Sequence, residues 1–170
     1  MQLRGQTFRS TTTQPISLPR ADGTEWHFVI QPLPLGFHRR LRERGLTPPL
    51  PPLHVARDSH GRPLRDESGA AVTTANTADA RYLSDLELYH QRVAVLAVAE
   101  ALRADPDVTL ETLPPDPQAH AEQWPRYADA LHAELEAAGF AAGDLILLCR
   151  HICRLSNLLV DHLQQGRANF

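Results

Sequence analysis

The chain has 170 residues, 42% of them hydrophobic, and a formal net charge of −3. That suits one domain with room for a small appendage. It excludes a disulfide framework, because two cysteines four apart would strain a helix if bridged. The opening "MQLRGQTFRS" has no apolar core, so no signal peptide is expected, and the run from Val93 to Ala99 is too short to span a bilayer. The expectation is a soluble protein of a reducing compartment.

All 17 basic residues are Arg, read here as coding bias. Residues 1–65 hold ten Arg against four acids, and residues 66–170 hold seven against sixteen. Such asymmetry can mark a nucleic-acid surface. The plainer reading is that the two halves attract one another or an oligomeric neighbour, and nucleic acid is not expected as a partner because no aromatic-and-basic cluster accompanies the charge.

The first part, residues 1–46, is predicted as a β-hairpin and a short helical turn. Two extended runs flank Arg20-Ala21-Asp22-Gly23, a strong turn signal. Trp26, Phe28 and Ile30 alternate with polar or smaller neighbours, which puts three large apolar groups on one face. A lone hairpin is marginal in water, so this one needs a cover, either the helical part or a neighbouring subunit. "LGFHRRLRERG" follows, with Gly45 as its stop. Its Arg39, Arg40, Arg42 and Arg44 suit a solvated face, with phosphate binding as the sharper alternative.

Residues 47–78 are predicted as a Pro-rich extended arm or loose hairpin. Pro48, Pro49, Pro51 and Pro52 forbid a helix, and "SHGRP" and "ESGAA" read as two turns. "PPLPPL" resembles ligands of aromatic grooves, but a stiff spacer is the simpler meaning. No fixed-period repeat is expected anywhere.

Residues 79–170 are predicted as a helical domain. Three helices are expected, over about 79–105, within 116–139 and over about 142–165. Val93 to Ala99 is apolar nearly all round, which implies cover on more than one side. Tyr127, Leu131 and Leu135 form the stripe of the second helix. The fold class is therefore mainly α, a three-helix C-terminal bundle preceded by the hairpin and the arm.

The third helix carries Cys149, His151 and Cys153. At about 100° per residue the cysteines share a side while His151 lies about 160° to 200° away, so the three cannot hold one ion. The C-x3-C spacing in mid-helix does not suit a redox pair, and buried free Cys behaves as a small hydrophobe. Ser156 sits in no nucleophile elbow, and no phosphate loop or calcium loop is present. No enzyme activity, metal or cofactor is expected. On the helical wheel Leu145, Ile146, Leu148, Cys149, Ile152 and Cys153 fill a broad core arc with Leu155, Leu159, Val160 and Leu163. Leu147, His151, Leu158 and His162 fall on its flank. They are either stray exposed residues or a partner contact. With Trp26, Phe28 and Ile30 they form the candidate partner-binding set.

The order of parts carries a resemblance. "ISLPRADGTEWHFVIQPL" leads into the Pro-rich segment. "RDSHGRPLRDESG" leads into the helix start at Asp79-Ala80-Arg81-Tyr82, and "AAGFAAGDLILLCRHICRLSNL" lies in the C-terminal part. Across most of its length the chain resembles the tail assembly chaperones of long-tailed bacteriophages, small proteins encoded near the tape measure gene. The resemblance implies a mostly helical, non-enzymatic chaperone or adaptor that binds a tail tube or tape measure-like protein. It implies no catalytic residue, no cofactor and no membrane, and a place in the host cytoplasm or the virion. The long Pro-rich arm departs from that pattern. It fits equally a structural virion or connector protein, a minor tail or head-tail component that self-associates through its arm.

Overall fold

The computed structural model describes residues 2–3, 6–7, 12–116 and 120–158. The chain divides into two units, residues 1–46 with 92–170, and residues 47–91. One boundary between the units falls at 46/47 and the other at 91/92, inside a helix. A short antiparallel pair, β1 (Gln2–Leu3) with β2 (Gln6–Thr7), opens the chain.

In the first unit β3 (Gln14–Pro19) pairs with β4 (Glu25–Ile30) in the register Ile16↔Phe28 and Leu18↔Trp26. The Arg20 N–H donates to Thr24 O at 2.8 Å, and the Gly23 N–H to Arg20 O at 3.1 Å, with Gly23 at φ 82°. This is the three-residue loop with a left-handed glycine, one residue longer than the tightest hairpin turn. The alternation puts Ile16, Leu18, Trp26, Phe28 and Ile30 on one face. That face meets Val98, Ala101 and Leu102 of α2 (Ala80–Leu102) and Leu148 and Ile152 of α4 (Ala142–Leu155).

A second cluster joins Phe37 and Leu41 of α1 (Phe37–Glu43) and Leu46 to Val95, Leu96, Ala97 and Ala99 of α2. Trp124, Ala128, Leu131 and Leu135 of α3 (Gln123–Ala137) complete it. Leu33, Phe140 and Leu145 touch both clusters. The α2 segment from Val95 to Ala99 is buried all round because the two clusters lie on opposite sides of it. Each large aliphatic side chain so buried contributes roughly 1.5–3 kcal/mol.

The expected mainly-α, three-helix bundle is therefore corrected to a mixed α/β architecture. Four helices and three two-stranded antiparallel sheets occur among the described residues. The hairpin is a layer of the core and not a preface to it. Leu148 and Ile152 of α4 are buried in the same cluster as Ile16 and Leu18 of β3 and Ile30 of β4. No helix among the described residues is long and apolar enough to cross a membrane.

Three helices end in the same way. The Leu46 N–H donates to Leu41 O after α1, the Phe140 N–H to Leu135 O after α3, and the Leu158 N–H to Cys153 O after α4. Each is the six-to-one bond of a Schellman stop, with Gly45, Gly139 or Asn157 at positive φ. The helix expected to reach residue 165 thus ends at Leu155.

Basic and acidic halves do meet within this unit. Arg20 pairs with Asp144, and Arg40 lies 3.7 Å from Glu100. The reading in which the two halves attract one another is the one these contacts favour.

Of the two alternatives for residues 47–78, an extended arm or a loose hairpin, the second unit has the hairpin, elaborated into a folded ribbon. β5 (Leu53–Val55) pairs with β6 (Thr73–Ala75). Between them Arg57 bridges Pro63 and Arg65 bridges Ala71, each closing one of the two turns read from the sequence. The two turns are copies. Asp58 Oδ1 accepts from the N–H groups of His60 and Arg62, and Asp66 Oδ1 from those of Ser68 and Ala70. Arg57 donates to Gly61 O at 2.7 Å and Arg65 to Gly69 O at 2.6 Å. The sequence repeats with them, Arg57-Asp58-Ser59-His60-Gly61-Arg62-Pro63-Leu64 against Arg65-Asp66-Glu67-Ser68-Gly69-Ala70-Ala71-Val72. The expectation of no repeat is corrected accordingly.

At the centre the Ala56 N–H donates to Val72 O, Val72 to Leu64 O and Leu64 to Ala56 O, at 2.8, 3.0 and 2.8 Å. These three residues are eight apart in sequence. They close a ring from which three hairpins radiate. The first half of α2 completes the unit, its Tyr82 N–H capped by Asp79 Oδ1.

Candidate functional site

Three aromatic rings converge where β4 meets the loop between α3 and α4. Trp26 lies edge-on to Phe140 with ring centroids 5.1 Å apart, and Phe28 lies 5.8 Å from Phe140. All three are half-buried. Strand alternation aims Trp26 and Phe28 at this place. The α3 stop at Gly139 turns the chain so that Phe140 faces them. An open cleft of about 490 Å³ runs over the rings, lined also by Glu25, His27 and Ala138. A cleft of about 180 Å³ lies beside the same Phe140, among His132, Leu135, Glu136 and Leu145. Phe140 is thus a ridge between two mostly apolar hollows with Glu25 and Glu136 at their rims.

Arg20 fixes this junction. Its guanidinium carbon lies 3.5 Å from the Trp26 ring centroid, while the same group bonds the Asp144 carboxylate and Gly139 O. Asp144 is buried and also accepts the Ala141 N–H at 2.7 Å. That bond, assisted by Arg20, holds its carboxyl below the ordinary range against the opposing effect of burial.

The backbone edge beside the cleft is partly occupied. The Val29 N–H points away from β3 and donates to Asp105 Oδ2 at 2.6 Å. By the alternation of an antiparallel ladder, the backbones of Glu25 and His27 face the same way. On the other strand, Pro15 and Pro19 carry no N–H at all.

The sequence-derived candidates do not form one surface. Trp26 and Phe28 line the cleft. Ile30 is fully buried between α2 and α4 and is corrected to a core residue. Leu147 is 38% exposed, and His151, one turn along, is half-buried. Leu158 is exposed, but it lies beyond the Asn157 stop and so does not continue their helical face. His162 lies outside the described residues. Ile146, expected in the core arc, is 67% exposed. The buried arc centres on Leu148 and Ile152, about 50° round from the expected centre, and Ile146 lies about 140° from it, outside the arc. Phe140 was not singled out in the sequence. Its signal was its place directly after Gly139, where a Schellman stop sets a hydrophobic residue.

The cysteines sit as two half-buried side chains of α4. Cys149 packs on the hairpin cluster, and its Sγ lies 3.9 Å from Ala94 O. Burial, and then Cys153, push its thiol up to about 11, which disfavours a nucleophilic or redox role. No group of three His, Cys, Asp or Glu suited to a metal occurs among the described residues.

No protein-family model, curated protein or solved structure matches the chain.

Proposed function

We propose that the chain is a non-enzymatic adaptor of the tail assembly chaperone type, which holds an apolar segment of a partner tail protein. The observation that carries this reading is the cleft over Trp26, Phe28 and Phe140. Its aromatic rings are held in fixed mutual geometry but stay open to a second surface. Rigid aromatic side chains in an open apolar hollow suit protein recognition, because they give large contact area at low entropic cost. Exposed Ile146 and Leu147 on α4 add apolar area within the same unit.

The test is co-purification with a tail tube or tape measure-like protein encoded beside it. A stoichiometric complex that is lost on Phe28→Asp, while the variant melts as a folded protein, supports the reading. A partner retained equally by Phe28→Asp overturns the assignment of the cleft.

A second reading, a structural virion or connector protein, draws on the ribbon unit. Leu50, Leu53 and Leu64 are exposed there at 89%, 69% and 44%. A native mass that stays multimeric on dilution, and falls to the monomer on Leu53→Ser with Leu64→Ser, favours it.

A further inference from the structure

Near the C-terminal end of α2, two guanidinium groups approach one carboxylate and a third stands beside them on an aromatic ring. Arg40 of α1 approaches Glu100 at 3.7 Å, and Arg103 approaches the same carboxylate at 3.2 Å. Arg44 lies flat on the buried Trp124 with its guanidinium carbon 3.6 Å from the ring centroid. Burial, and then the neighbouring Arg40, lower the Arg44 pKa from its ordinary value, with Arg103 adding to the shift. The cluster carries two positive charges more than it neutralises, in a chain whose net charge is negative. Two of its cations are already oriented by Glu100, and the third by Trp124, so little side-chain freedom remains to be lost on binding.

Arg103 is also a wall of a separate cleft. About 230 Å³ of open space lies among Leu102, Val108, Leu110, Leu113 and Tyr127, with Arg103 at its edge. Tyr127 in turn stands edge-on to Trp124, with centroids 5.8 Å apart. The lip is pinned. Both carboxylate oxygens of Glu134 accept backbone N–H groups, from Glu111 at 2.6 Å and Thr112 at 2.8 Å. The next residue, Leu113, is 81% exposed. A leucine held open on a pinned loop beside an apolar hollow is an unfilled contact.

We propose that this cleft and the Arg40, Arg44 and Arg103 cluster beside it bind an acidic segment of a protein partner that carries one apolar side chain. The apolar group fills the hollow under Leu113, and carboxylates meet the guanidinium groups. Charge complementarity selects the partner's sign. Exposed ion pairs are individually weak, so the apolar anchor must carry much of the affinity. The site shares no residue with the aromatic cleft, so it stands or falls apart from that reading.

The test uses the full chain and a short fluorescein-labelled peptide with one leucine flanked by aspartates, read by anisotropy at low salt. Binding should weaken at least tenfold with Arg103→Glu, with Leu113→Ser, and with serine in place of the peptide leucine. It should be unchanged by Phe28→Asp. Variants are first checked for an unaltered thermal melt, and Arg40→Gln gives a milder second test of the cluster. No binding of the acidic peptide overturns the proposal, as does equal binding of a lysine-flanked peptide. Tighter binding of single-stranded oligothymidylate would also overturn it and assign the cluster to nucleic acid instead.

Discussion

Arg20 and Asp144 show how much one ion pair can organise. Arg20 covers Trp26, bonds the carboxylate that starts α4, and bonds the carbonyl at the α3 stop. Removing it leaves a buried carboxylate with one partner fewer, so Arg20→Ala should cost about 1–3 kcal/mol in urea unfolding. The pH dependence follows from the direction of the Asp144 shift. Its folded pKa lies below the ordinary 3.8, so its contribution is present above that value and is lost as pH falls through the folded one. Wild type and Asp144→Asn should therefore differ most at neutral pH and converge in acid. Urea midpoints across the acid range check this, and a constant gap would contradict it. Cys149 gives a second residue-scale prediction. Burial is the larger cause of the raised thiol and remains in a Cys153→Ser variant, so there the thiol's reaction with a disulfide reagent at neutral pH should slow on folding, by less than the roughly 100-fold that a rise from 9.0 to about 11 would give. The geometric separation of Cys149 from His151 was legible from helical spacing alone. The contacts of Arg20 with the Asp144 carboxylate and the Gly139 carbonyl were not, because they join residues more than a hundred apart.

The elements divide by how local their causes are. The hairpin was readable because its signals, alternation and an Asp-Gly turn, lie within the strands and turn that they specify. The end of α4 was misread for an equally physical reason. Leucines continue past Ser156, and apolar spacing alone carries the helix onward. The stop depends on Asn157 adopting φ 55°, which asparagine tolerates through local hydrogen bonding better than other residues with a side chain. Asn157→Gly should then leave stability unchanged or slightly raised, while Asn157→Val should cost about 1–2 kcal/mol. Thermal melts of the two variants distinguish this from a helix that merely frays. The same logic is harsher at Gly45. There a Cβ would combine φ 78° with an approach of 2.8 Å to the Ala121 Cβ, so Gly45→Ala should cost more than Asn157→Val.

At the scale of the whole chain, organisation was least legible where it rests on backbone bonds. The fold class was missed because a hairpin that looks like an appendage supplies one wall of the helical core. Nothing in its own residues says which surface it will cover. In the ribbon unit the hairpin and its two turns were legible, and the repeat was not. Its eight-residue recurrence is visible in two copies only, because the third hairpin is built from unlike segments, residues 53–55 and 73–75. What unites the three is the ring through Ala56, Leu64 and Val72, in which each N–H serves the next carbonyl. A ring of this kind has no weakest edge to fray, since every member is both donor and acceptor. It is correspondingly sensitive to the loss of one donor. Leu64→Pro removes the N–H that serves Ala56 O, and the opened ring then exposes the other two bonds to water. The amides of Ala56 and Val72 should exchange together in the native protein and should both lose protection in Leu64→Pro. Leu64→Ala keeps the backbone donor and should leave them protected. Site-resolved hydrogen exchange checks this, and loss of protection in Leu64→Ala as well would show that the leucine side chain, and not the ring, holds the ribbon.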